Sequence, residues 1–542
     1  MMKVGNFART GHHTFMWNRK RPPSPPMMAA ASARLRKWPK LPQALAKNAL
    51  TASLLIAFSA LMPLSAKAQP SLPTLGDGSA LTTGEERRLG DRIIRELYRD
   101  PDYIDDPVLV EYVQGLWQAL LAAARARGEL SPELDERFAW EVLLGRDRTV
   151  NAFALPGGYL GVHLGLIGVV ATRDELASVL AHELSHVTQR HISRLMAQQS
   201  KQTPLLLGAM VLAALAASKN PGAAQAMMVG GQAVAMQNQL NFSRDMEREA
   251  DRIGYGLMEP SGFAPQGFVS MFDKLQQANR LNDNGSWPYL RSHPLTTQRM
   301  ADMHSRLPPG GAAPPPQPGL EHALVVARAR VLSNPGVDAL RLWISEPQNS
   351  GFASQPAPRR AAALYTAALA SNQLRDFAAA RTAQARLEEV VRGDAAAQRQ
   401  SQRLAAEIAL AAGLPEAALQ RLPAETGRPE LVLRTQALLR LGRAAEVTGA
   451  LQTWVTTHPH DATVWQLLAS TWQAQGQPLR AVRAEAESHA ARYDYAAAVD
   501  RFKAGQDLAR KSSSAADYIE ASIIDTRLRA MESLLKEQAA ER

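Results

Sequence analysis

The sequence predicts a mainly α-helical protein in two parts: an α+β domain with a small sheet, then an α-helical solenoid. Three observations predict it. Residues 83–306 mix helical apolar spacing with short alternating stretches. A Pro/Gly/Ala run at 308–316 then interrupts the chain. Beyond it the composition turns to Ala, Leu, Arg and Gln, in short helical segments separated by turns. With 542 residues, the chain has room for two or three domains. The expected division is a leader at 1–68, a first domain at 69–306, a linker at 307–319 and a helical-repeat domain at 320–542.

The net charge of +10 first suggests nucleic acid or an anionic surface, but its distribution argues otherwise. Residues 1–68 hold eleven Lys/Arg and no Asp or Glu, which leaves −1 for residues 69–542. A nucleic-acid partner is therefore not expected. The leader has the plan of an export signal. Arg34, Arg36 and Lys37 precede an uncharged run of thirteen residues, 50–62, and Ala66-Lys67-Ala68 follows as a small-x-small cleavage pattern. The run is short for a spanning helix. The expected location is the periplasm after leader cleavage, with outer-membrane association left open. The chain has no cysteine, so neither disulfides nor thiolate metal ligands are available.

Along the first domain, 83–98 and 108–127 have helical spacing, the latter through Val110, Val113, Trp117, Leu120 and Leu121. Residues 138–144 alternate like a strand. Residues 152–162 read as strand–turn–strand around Pro156-Gly157-Gly158. Thr172 and Glu175 form a T-x-x-E capping box for a long helix, with an apolar stripe of Leu176, Val179, Leu180 and Leu184, expected to run to about Gln198. Residues 202–218 are uncharged, and a second small-residue segment spans 223–236. A helix follows over 244–258. In the second domain, Trp465, Leu468, Trp472, Gly476 and Ala481, then Tyr493, Ala497 and Phe502, match the large, small and turn positions of tetratricopeptide helix pairs. Weaker echoes occur at 365–378 and 404–419.

The chemistry centres on His182-Glu183-Leu184-Ser185-His186, an H-E-x-x-H string on the capped helix. Residues i and i+4 share a helix face, so His182 and His186 can offer two imidazole nitrogens to one Zn²⁺. Glu183 is then placed to take a proton from a water at the ion. A catalytic zinc wants a third protein ligand. Glu247 and Asp251 are again i and i+4 on another helix. Glu247 is the candidate ligand, and Asp251 the candidate acceptor for a ligand histidine's second N–H. Glu249 is the rival ligand. His191, five residues past His186, and His163 read as non-ligands, with His191 expected to face elsewhere on the helix.

Four motifs in order carry a resemblance: Asn151-Ala152-Phe153-Ala154-Leu155-Pro156-Gly157-Gly158; the H-E-x-x-H string; Ser243-Arg244 with Glu247 and Asp251; and Ser292-His293-Pro294-Leu295 with Arg299. Together they resemble the prenyl-endopeptidase/HtpX-type zinc metallopeptidases. With a signal segment and a repeat tail, the chain is most similar to their periplasmic, tetratricopeptide-bearing branch, the β-barrel assembly-enhancing proteases. The resemblance implies a gluzincin-type α+β metallopeptidase domain holding one Zn²⁺ per chain. His182, His186 and Glu247 match the zinc ligands and Glu183 the catalytic base, with Asp251 in support. Asn151, Ala152, Phe153, Gly157 and Gly158 match the segment beside the substrate cleft. His293 matches a histidine near the active site; it could close the open metal position as a fourth ligand or stabilise the oxyanion, and a structural histidine before proline is the plain alternative.

The implied substrates are unfolded or misassembled outer-membrane proteins, and the implied partner of the repeats is the barrel-assembly machinery. Residues 204–236 are expected to form a buried or cleft-covering helical pair, ahead of peripheral membrane contact, with true spanning last. The rival from a different class is a chaperone or assembly scaffold that works through its repeats without proteolysis; an intact Glu183 argues against it.

Overall fold

In the computed structural model, residues 81–198, 244–280, 286–307, 318–423, 427–511 and 515–540 are described. The proposed leader, the segment 204–236 and most of the linker lie outside them. The first described helix, α1 (Thr83–Leu97), starts on a full capping box between Thr82 and Glu85. After β1 (Tyr103–Ile104) comes α2 (Pro107–Ala126), capped by Asp106. It is followed by α3 (Pro132–Arg137), β2 (Glu141–Gly145), β3 (Ala152–Leu155) and β4 (Tyr159–His163). The first expected strand is shorter than 138–144 because Trp140 takes a positive φ of 52°, which turns the chain before β2.

The sheet order is β1-β2-β4-β3. β2 and β4 run parallel, and β3 folds back antiparallel as an edge strand. The β3–β4 turn needs Gly158, whose φ is +83° and whose Cβ would lie 2.7 Å from that of Phe138. Alternation along the strands gives the sheet two apolar faces. Ala152, Ala154, Leu160 and Val162 pack into the core with α2, while Leu143, Leu155 and Tyr159 face α1.

The chain continues through α4 (Leu164–Val169) to α5 (Arg173–Thr188) and α6 (His191–Gln198). The long helix expected to reach Gln198 is thus two helices. Arg190 has φ 52°, and its guanidinium is held by Glu86 at 2.9 Å. The capping box is half formed: Thr172 accepts from Glu175 N, but the Glu175 carboxylate bonds Ala171 N and Lys274 instead. From Leu176 to Thr188 every residue of α5 is buried, because α2, α7 (Arg244–Met258), α8 (Gln266–Arg280) and β3 surround it. Each fully buried leucine there is worth roughly 1.5–3 kcal/mol. Two shorter helices follow, α9 (Tyr289–Ser292) and α10 (Thr297–Ser305).

The C-terminal helical region opens with α11 (Leu320–Leu332). Its Val325 and Ala329 complete the first core, while Leu324, Ala327 and Val331 enter the next one. Paired helices then stack: α12 (Val337–Ser345), α13 (Ala357–Gln373), α14 (Phe377–Val390), α15 (Ala395–Ala411), α16 (Pro415–Arg421), α17 (Arg428–Arg440), α18 (Ala445–Thr457), α19 (Ala462–Ala474), α20 (Pro478–Ala490), α21 (Tyr495–Ala509) and α22 (Ala515–Ala540). Among the described residues, no helix is long and apolar enough to cross a membrane.

These helices fold back onto α2. Arg428 grips Asp105 at 2.6 Å, Arg328 grips Asp106 at 2.7 Å, and Arg403 grips Glu111 at 2.6 Å. Arg403 and Arg399 also hold Glu430, at 2.7 and 2.9 Å. Burial opposes ionisation of Glu430, but those two guanidiniums outweigh it and bring its pKa to about 2. The folded value lies below the unfolded one, so the stabilisation is full above about pH 4.5 and is lost as pH falls toward 2. After allowance for screening, the expected effect is on the order of 1–2 kcal/mol. Urea unfolding of Glu430→Gln should therefore lack a component of the acid destabilisation that the parent shows between about pH 5 and 2.

Candidate active site

α5 and α7 cross at close range. Gly254 on α7 permits this, since a Cβ there would sit 3.0 Å from the Ala181 carbonyl carbon and oxygen. The crossing brings His182 and His186 from one helix to Glu247 and Asp251 from the other, and the loop after α9 adds His293. His182, His186, Glu247 and His293 offer ligand atoms that all lie within 4.8 Å of one another, and each residue is buried.

His182 Nε2 is 3.0 Å from His186 Nε2 and 3.5 Å from Glu247 Oε2. His186 Nε2 is 3.5 Å from Glu247 Oε1. Ligands at about 2.0–2.1 Å around a tetrahedral zinc stand roughly 3.3–3.4 Å apart, so the spacing and the N, N, O donor set both fit that ion. His293 Nδ1 lies 3.0 Å from Glu247 Oε1 and 3.3 Å from His182 Nε2, within the same group. Its ring stacks on Tyr289, with centroids 4.6 Å apart.

Asp251 and Arg299 hold the group in place. His182 Nδ1 lies 3.0 Å from Asp251 Oδ1, which directs Nε2 toward His186 and Glu247. Arg299 donates to both Asp251 oxygens, at 2.6 and 2.8 Å, and to the Pro294 carbonyl at 2.9 Å. It also lies 2.7 Å from Glu247 Oε2. Burial raises both carboxyls, but the facing cations outweigh it: Arg299 and His182 for Asp251, the histidines for Glu247. Both are held below the usual carboxylate range. For His182, burial works against the charge, but Asp251 and Glu247 prevail and bring it up to about 9. Burial and the neighbouring imidazoles push His186 the other way, well below its ordinary value.

Glu183 Oε2 accepts from the Ala154 N–H at 2.9 Å. Its Oε1 has no hydrogen-bond partner among the described residues and lies 3.4 Å from His293 Nε2. Glu183 is therefore tied to edge strand β3 by one oxygen. His163 N–H donates to Asn151 O, so by antiparallel alternation Ala152 and Ala154 turn their backbone groups away from β4. Phe153 alternates to the other face, over Gly161 and edge-on to His163. Gly157 and Gly158 form the turn against Arg87 and Phe138.

Comparison with known proteins decides the lineage. The family model for peptidase family M48 matches residues 117–307. The β-barrel assembly-enhancing protease of Escherichia coli strain K12 is 30% identical over 454 residues, covering 82% of this chain and 89% of that protein. The chain belongs to peptidase family M48. A putative β-barrel assembly-enhancing protease of Vibrio cholerae is 36% identical over 289 residues, 51% of this chain and 56% of that protein. The mitochondrial metalloendopeptidase OMA1 of Saccharomyces cerevisiae is 27% identical over 203 residues, 36% of this chain and 55% of that protein. This M48 chain is a metalloendopeptidase, with a His-His-Glu-His group at its centre.

Of the residues singled out in the sequence, His182, His186, Glu183, Glu247, Asp251 and His293 come together. Glu249 does not join them; it pairs with His191 and Arg194. His191 does not face elsewhere. The break at Arg190 turns it back, and its Nδ1 lies 2.9 Å from His186 Nδ1. Helical spacing hides that contact, since an unbroken helix would rotate His191 away. The positive φ at Arg190 has no sequence signature of the Gly or Asn kind.

Proposed function

We propose that this metalloendopeptidase is a zinc enzyme of the bacterial periplasm that removes unfolded or misassembled outer-membrane β-barrel proteins. The barrel substrate class is supported by the likeness to the Escherichia coli protease over most of both chains. The signal-like leader supports the compartment. The observation that carries the chemistry is Glu183 Oε1, which has no hydrogen-bond partner among the described residues, beside two histidines and a glutamate spaced for one zinc. His182, His186 and Glu247 would hold the ion. Zinc, when bound, supplies a Lewis acid that polarises the scissile carbonyl and acidifies water. Glu183 Oε1 takes the proton of the attacking water and returns it to the leaving amine. An extended substrate would pair along edge strand β3 through the Ala152 backbone and the Ala154 carbonyl, the Ala154 N–H being held by Glu183, which favours unfolded chains over folded ones.

His293, inside the ligand group, acts as a fourth ligand that closes the resting site. The repeats hold the barrel-assembly machinery. The test is degradation of an outer-membrane barrel protein presented unfolded in urea-diluted buffer or folded in detergent. His293→Ala should cleave the unfolded form faster than the parent, spare the folded form and be stopped by a chelator. Equal cleavage of both forms, or cleavage indifferent to chelation, would refute the reading.

A further inference from the structure

The two ligand histidines are oriented by different devices. His182 meets a carboxylate directly, whereas His186 meets another imidazole. His186 Nε2 faces the ligand group, so its Nδ1 points away, to within 2.9 Å of His191 Nδ1. His191 Nε2 lies 3.0 Å from Glu249 Oε2, and Arg194 Nη1 donates to that same oxygen at 2.9 Å. His191 is fully buried, with its ring edge-on to that of His186 at a centroid distance of 4.9 Å.

These distances permit one consistent arrangement of protons. Ligation through His186 Nε2 requires the His186 proton on Nδ1. Two nitrogens 2.9 Å apart share a single proton, so His191 Nδ1 must accept it. The His191 proton then sits on Nε2 and donates to Glu249, whose charge is anchored by Arg194. The break at Arg190 exists in the right place for this. It restarts the helix at His191, and Glu86 and the Leu81 carbonyl hold the Arg190 side chain that makes the turn.

We propose that His191 is a positioning residue for the metal: a His186–His191–Glu249 relay that fixes the tautomer and ring plane of His186. The inference rests on the zinc reading above. Removing such an outer partner lowers metal affinity about 10- to 100-fold.

The test is zinc competition against a chromogenic chelator with the purified chain. His191→Phe keeps the ring volume but cannot accept, and should bind zinc about 10- to 100-fold more weakly. His191→Asn places an amide oxygen where Nδ1 stood and should recover most of that loss, a rescue that a packing role would not give. Wild-type affinity in His191→Phe, or equal loss in Phe and Asn, overturns the proposal. Should His191→Phe fail to fold, Glu249→Ala decides, since Glu249 is part-exposed: weaker zinc binding supports the relay and unchanged binding overturns it. A parent chain that binds no zinc would overturn the proposed function itself, whereas a zinc-binding parent matched by His191→Phe overturns only the relay.

Discussion

Glu183→Gln is expected to lower turnover of an unfolded protein by about 10²- to 10⁴-fold, the usual worth of a positioned general base. The variant should keep its fold and its metal. Gln retains one oxygen to accept the Ala154 N–H, now 2.9 Å from Glu183 Oε2, so the tie between α5 and the edge strand survives. What disappears is the capacity of the other oxygen to carry a proton. The effect should fall on kcat, with substrate affinity nearly unchanged, because Glu183 makes no demand on the substrate backbone. Measurement in the His293→Ala background removes any closure of the resting site and exposes the full difference.

Arg299→Met should destabilise the protein by about 3–5 kcal/mol in urea unfolding, because it leaves buried carboxylates without their cation. The arginine is buried, grips both oxygens of Asp251 and lies 2.7 Å from Glu247. Met keeps packing volume beside the Phe272 ring, over which the guanidinium sits at 5.3 Å, so the loss reports charge rather than a cavity. Arg299→Lys should fall between, since an ammonium cannot bridge both Asp251 oxygens and the Pro294 carbonyl in one plane. Adding Asp251→Asn to Arg299→Met should recover part of the stability, a non-additivity expected of partners in contact.

Much of the site was legible in the sequence for a simple reason. His182 with His186, and Glu247 with Asp251, are i, i+4 pairs, and helix geometry alone puts each pair on one face. The helix boundaries were less legible where local signals conflict with packing. Thr172 announces the start of α5, but nothing near Arg190 announces its end; the break is held from afar by Glu86 and Leu81. His191 therefore looked idle, and Glu249 looked like a rival metal ligand. Phe153 shows the period-2 limit: the motif places it beside the cleft, while strand alternation sends its side chain to the other face. The apolar stripe of α5 was visible, but not that its opposite face is buried too, because a helix enclosed on all sides has little amphipathic pattern. The arginines that bind the C-terminal helices to the start of α2 were invisible as well. Arg328, Arg403 and Arg428 meet acids more than 200 residues away, and no local pattern marks such pairs.

The central claim is that His182, His186 and Glu247 hold one zinc beside Glu183. The most direct measurement is zinc per chain, by elemental analysis, in the parent and in His186→Ala after identical loading and desalting. The account predicts about one zinc in the parent and much less in the variant, because His186 is one of the ligands that hold it. Equal zinc in the two proteins, or none in the parent, would contradict it.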